Sequence, residues 1–165
     1  MKPLYKAIVL LVFFILLGYF REYVFINFNN LIYFKFYKST TMPIPSAFLF
    51  FTKFSYATLY YVKYPLTITF VAIYIITSII SLKFLRMNNW YQKLLLIIYG
   101  IIILLSVILM IYGYFFKLKL NDNEYTISRW LMGIAQSPFI LFTLITLYLW
   151  EKTKLIKNEK GNWNI

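Results

Sequence analysis

Apolar positions along this chain fall in long unbroken runs, which is neither the alternation of a half-buried strand nor the one-sided stripe of a soluble helix. The first run, residues 7–20, follows Lys2 and Lys6 and so starts like a signal peptide. Its end, Gly18-Tyr19-Phe20-Arg21, offers no small-x-small cleavage pair. The reading is a retained first span that continues past Arg21 and Glu22 to about residue 28, giving the roughly 20 residues a bilayer requires. Residues 29–64 are aromatic, dotted with Lys35, Lys38, Lys53 and Lys63, and broken by Met42-Pro43-Ile44-Pro45. This stretch is expected to lie at the interface, with Ser46 capping a helix over residues 47–64 in the headgroup plane and Pro65 marking a break. Continuation of that helix into the next span is the alternative. Further spans are predicted at about 65–82, 94–116 and 128–150, the middle two joined by a short basic turn as an antiparallel hairpin. Trp130 and Trp150 would lie roughly 30 Å apart on a straight helix, one aromatic anchor at each face of the bilayer.

The expected fold class is therefore all-α integral membrane, with four transmembrane helices in a single domain over 1–150 and an interfacial aromatic helix or loop between the first and second. Residues 151–165 form a basic cytoplasmic tail too short and charged to fold. Composition agrees. Of 165 residues, 62% are hydrophobic and 13% charged, too few polar groups to cover a soluble domain. The net charge of +12 comes from 17 Lys+Arg against 5 Asp+Glu. Because these residues flank the apolar runs, they suit anionic headgroups of the lipid bilayer and the setting of topology, and no nucleic acid partner is expected. Cytoplasmic termini would gather Lys2, Lys6, Lys83, Arg86, Lys93, Lys152, Lys154, Lys157 and Lys160 inside. Lysine greatly outnumbers arginine, and with abundant Ile, Asn, Tyr and Phe this fits an AT-rich bacterial genome.

With no Cys and no His, thiol and imidazole chemistry are excluded, and the five acids form no pair within a span. No catalytic residue, metal site or cofactor is expected. The polar residues that remain point to contact. Arg129, Gly133, Gln136 and Ser137 share a face of the fourth span at i, i+4, i+7 and i+8; Gly133 and Ser137 would let another helix approach, and Leu141 is expected to face lipid. Pro138 should kink the helix and free a carbonyl near Ile134. Arg21 and Glu22, adjacent and so pointing apart, each need a partner, and shared leaflet depth suggests Glu22 for Arg129. Thr67, Thr69, Thr77, Ser78 and Ser81 read as ordinary hydroxyls bonded within their own helix.

Three segments, GYFREYVFINFNNLIYF from Gly18, FSYATLYYVKYPLTITF from Phe54 and SRWLMGIAQSPFILFTLI from Ser128, resemble the small multi-pass proteins of bacterial exosortase systems, the exosortase-associated membrane proteins. The resemblance implies an accessory subunit of a membrane sorting machine. Arg21, Glu22, Arg129, Gln136, Ser137 and Pro138 would be its polar signature. An exosortase uses Cys, Arg and His in catalysis, so this chain is not the transpeptidase. The function expected is that of a non-catalytic partner docked on a larger membrane protein, an exosortase being the candidate. One alternative is an oligomeric channel or transporter subunit lined by Thr77, Ser81 and Gln136. Another is a lipid-handling enzyme acting through Glu22 and Arg129.

Overall fold

The structure is a computed structural model that describes residues 3–37, 44–115 and 123–161, with side chains placed at 5–37, 44–112 and 127–154. All regular structure among the described residues is helical: α1 (Pro3–Tyr37), a 3₁₀ helix (Ser46–Lys53), α2 (Tyr56–Phe84), α3 (Asn89–Phe115), α4 (Asn123–Ala135) and α5 (Phe139–Gly161). Three stretches, Tyr5–Tyr37, Tyr56–Phe84 and Asn89–Tyr112, are long and apolar enough to cross a membrane. A fourth crossing is possible if Ile127–Ala135 and Phe139–Lys154, which meet at 59°, count as one. The chain divides inside α2 into two compact units, residues 1–72 and 73–165.

In the first unit α1 continues without a break through residue 37, well beyond the expected end near 28. No glycine or proline follows Gly18 before residue 37, so nothing in the sequence stops the helix. At about 1.5 Å per residue α1 is roughly 52 Å long. The aromatic segment 29–64 differs from its expectation at both ends. Its first residues belong to α1 and its last to α2. Only residues 46–53 form a separate short helix, which lays Phe48 and Phe51 against α1. There Phe28, Leu31, Phe48 and Leu59 bury one another, flanked by Ile32, Ile44, Phe51 and Leu66. The rings of Tyr23 and Phe48 meet at 6.0 Å, and those of Phe28 and Phe51 at 5.4 Å.

Ser46 makes no side-chain cap. The cap sits instead at Ser55, whose hydroxyl accepts from the Thr58 amide at 3.2 Å and pairs with the Thr58 hydroxyl at 2.9 Å. Pro65 does not end α2, which runs straight through it. A proline removes the amide that would bond the Tyr61 carbonyl, and the hydroxyls on the following turn do not replace it: Thr67 donates to Lys63 O and Thr69 to Pro65 O, each at 2.9 Å, as bonds within their own helix.

The second unit begins with the last turns of α2 and reverses at a tight turn. Met87 N donates to Leu82 O at 3.0 Å and Arg86 N to Lys83 O at 2.9 Å, the paired bonds of a Schellman ending. Such an ending needs a left-handed residue, and Arg86 supplies it at φ 58°. Asn88 then starts α3, its side-chain oxygen accepting from the Trp90 amide at 3.3 Å. The closest backbone packing in this unit is between α3 and α4. Past the break at residues 136–138, α5 also returns along α3, and it continues to Gly161, so the tail expected to be unfolded is helical over 151–161. Lys, Glu, Leu and Ile populate that stretch and none of them interrupts a helix.

A left-handed arginine carries a steric cost of about 1–2 kcal/mol that glycine avoids. Arg86→Gly should therefore raise unfolding stability in detergent by about 1 kcal/mol, read from denaturing-detergent titration, whereas Arg86→Ala, which keeps the Cβ, should not.

Candidate functional site

The α3–α4 contact is built on two serines. Ser106 is the only hydroxyl among the apolar residues 100–111, and it is 1% exposed. The two hydroxyls lie 2.9 Å apart; Ser106 also reaches the Ser128 carbonyl at 3.2 Å, and Ser128 reaches the Ser106 carbonyl at 3.1 Å. Each side chain thus bonds to the other helix's backbone, which is possible only where small residues let the backbones come close. Sequence reasoning missed this pair. The available signal was a single small polar residue in the middle of the most apolar run.

A second tie fastens α5 to the start of α3. The Tyr91 hydroxyl donates to Glu151 Oε2, and the Tyr91 ring meets Tyr148 edge-on at 5.5 Å. Ser106 therefore faces Ser128 and Tyr91 faces residues 148–151, so α4 and α5 together follow α3 in the antiparallel sense. A third polar cluster joins α2 to α3. Tyr74, Ser78, Ser81 and Tyr99 are all buried. Ser81 donates to Thr77 O at 2.7 Å and Thr77 to Ile73 O at 2.7 Å, bonds within their own helix. Ser78 departs from that expectation: its buried hydroxyl makes no bond within its own helix and lies toward the Tyr99 hydroxyl of α3.

The predicted patch on the last span is redistributed by the break. Arg129 is exposed and Gly133 partly so; α4 ends at Ala135, and Gln136, at 3% exposure, is buried in the turn. The four residues do not form one helical face because the last two lie outside the helix. A methyl group built at Gly133 would meet no atom within 4 Å, so among the described residues none packs closely on it. Ser137 bridges the break: its hydroxyl donates to Ile134 O at 2.7 Å and lies 3.4 Å from the Phe139 amide, while its own amide donates to Ile134 O at 3.1 Å. The carbonyl that Pro138 was expected to free is taken by Ser137. Because the bend resets the register, Leu141 turns inward and is fully buried rather than facing lipid.

In the first unit Arg21 and Glu22 sit in the middle of α1, so no helix end explains them. Arg21 is half-buried with its guanidinium 5.5 Å from the Phe25 ring, and Glu22 is exposed. Arg129 belongs to the second unit. Among the described residues no three acidic, His or Cys side chains are grouped so as to hold a metal ion. Comparison with known protein families, curated proteins and solved structures returns no match for the chain.

The packing reverses the ranking that the sequence suggests for two substitutions. In detergent, Leu141→Ala should cost about 2–5 kcal/mol of unfolding free energy, because it empties a buried site. Gly133→Leu should unfold like the parent. Ser106→Leu, which forces a large side chain between two close backbones, should cost about 1–3 kcal/mol, and Ser106→Ala about 1 kcal/mol.

Proposed function

We propose that the chain is a four-span integral membrane protein of a bacterial inner membrane, with both termini cytoplasmic, that serves as a non-catalytic subunit of a larger membrane complex. An exosortase sorting system is the client to which the resemblance of the three segments points. The four-span reading is supported by α4 and α5 accompanying α3 end to end. A bend of 59° redirects a chain without reversing it, so the broken pair fits a single crossing.

The observation that carries the subunit reading is the open position at Gly133. Inside the second unit, Ser106, Ser128 and Ser137 bond within the unit, and the one small position on the outer side of α4 is left unfilled. Exposed Arg129 and Trp130 lie one turn before it on the same side. A partner helix can come close there, as helices in lipid do at small residues. A channel subunit is less well supported, since Thr77 and Ser81 direct their hydroxyls to their own backbone and Gln136 is buried. That reading predicts ion or solute flux in liposomes, and a docked subunit gives none.

Two measurements test the proposal. Reporter fusions after Lys119 and after Lys152 should give opposite signals, and equal signals would end the four-span topology. Mild-detergent pull-down with mass spectrometry should recover one stoichiometric membrane partner with the parent chain, and Gly133→Leu should lose it while keeping the parent's own stability. Undiminished recovery with Gly133→Leu would remove α4 as the docking face.

A further inference from the structure

A shallow, open groove of about 550 Å³ runs from the break along one face of α5, lined by Ser137, Pro138, Phe139, Phe142, Thr143, Thr146 and Leu147. Its walls are apolar in spite of two threonines, because Thr143 donates to Phe139 O and Thr146 to Phe142 O, each at 2.9 Å, so both hydroxyls are engaged by their own helix. Trp150 and Lys154 continue the same face, at i+3 and i+7 from Leu147, with the Lys154 ammonium 4.0 Å from the centre of the Trp150 ring. From Pro138 to Trp150 is about 18 Å along a helix, close to the depth of one leaflet, about half of the 30 Å hydrocarbon core. The groove is thus one leaflet deep and ends at an aromatic ring and a cation.

That end of the unit is strongly basic. The Tyr91–Glu151 bond places the α2–α3 turn and the later part of α5 together, so exposed Lys83, Arg86, Lys93, Lys152 and Lys154 gather around one end. Among the described side chains of this unit the only carboxylate is Glu151, and it is engaged by Tyr91. An apolar groove of leaflet depth ending at a cluster of cations matches a lipid with an anionic headgroup, and basic sites beside membrane helices on the cytoplasmic side recognise such headgroups. We propose that the groove at the Pro138 break is a binding site for one anionic phospholipid, an acyl chain lying along Phe139, Phe142 and Leu147 and the phosphate held by Lys154. The inference rests on the membrane-spanning reading of the second unit, and it requires neither the exosortase client nor any partner.

Native mass spectrometry of the full chain, purified in mild detergent and supplied with equal amounts of palmitoyl-oleoyl phosphatidylglycerol and palmitoyl-oleoyl phosphatidylcholine, tests it. The expected result is one retained phosphatidylglycerol per chain, at least fivefold over phosphatidylcholine. Lys154→Glu should abolish the preference, and Thr143→Trp, which fills an exposed part of the groove without touching the core, should remove the bound lipid of either kind. Equal retention of the two lipids by the parent, or a phosphatidylglycerol adduct unchanged in both variants, overturns the site. Insertion into vesicles, checked by alkaline extraction, separates the two levels of the argument. A chain that inserts but shows no preference loses only this site, and a chain that does not insert loses the membrane reading as well.

Discussion

The close approach of α3 and α4 at Ser106 and Ser128 is the constraint on which the second unit depends. In the proposed membrane setting helices gain nothing by hiding leucine from lipid, so their association would come from packing, interhelical hydrogen bonds and small residues at the contact. Ser106 supplies all three at once, and its reciprocal bonds to Ser128 fix the register of the helices. Once that register is set, the Tyr91 bond to Glu151 decides where the second half of the pair must lie. Residues 136–138 take up the difference.

Seen this way, the break at Pro138 is a joint rather than a defect. A single straight helix from residue 128 to residue 150 would keep one face toward α3 throughout. The bent pair presents one face before the break and another after it, with Gln136 turned in and Leu141 brought to the core. Ser137 makes the joint inexpensive, because one side chain serves the carbonyl of the incoming helix and the amide of the outgoing one. An interruption in lipid is tolerated only where the freed backbone groups find partners, and here they find them locally.

The apolar runs made the helices legible, since a 3.6-residue helix is the one element that satisfies its own backbone in an apolar medium. The break near Pro138 and the turn at residues 85–88 were legible for the same reason: proline and a basic gap are local signals. Helix ends were not, because residues 29–37 and 56–64 carry no stop signal and their aromatic content suits a helix as well as an interface. The Ser55 cap was overlooked in favour of Ser46, which follows two prolines and looks like a start. Tertiary ties were hidden altogether. Ser106 with Ser128 and Tyr91 with Glu151 join residues 22 and 60 positions apart, and no periodicity reports a partner across such distances. The patch of Arg129, Gly133, Gln136 and Ser137 was placed on one face by assuming a continuous helix, an assumption that Pro138 undermined from the start.

The length of α1 carries a consequence of its own in the proposed membrane setting. Its apolar stretch Tyr5–Tyr37 has 33 residues, about 50 Å of helix, against a hydrocarbon core of about 30 Å. To lie wholly within the core it would have to lean by more than 50°, beyond the roughly 0–40° that membrane helices adopt. At such tilts about two to four turns must stand clear of the acyl chains as a rigid post. The far end of that post is where Phe28 and Leu31 are roofed by Phe48 and Leu59. Such a post would carry a small aromatic knob at headgroup height, its α1 half held there by helix stiffness and its other half supplied by the short helix and α2.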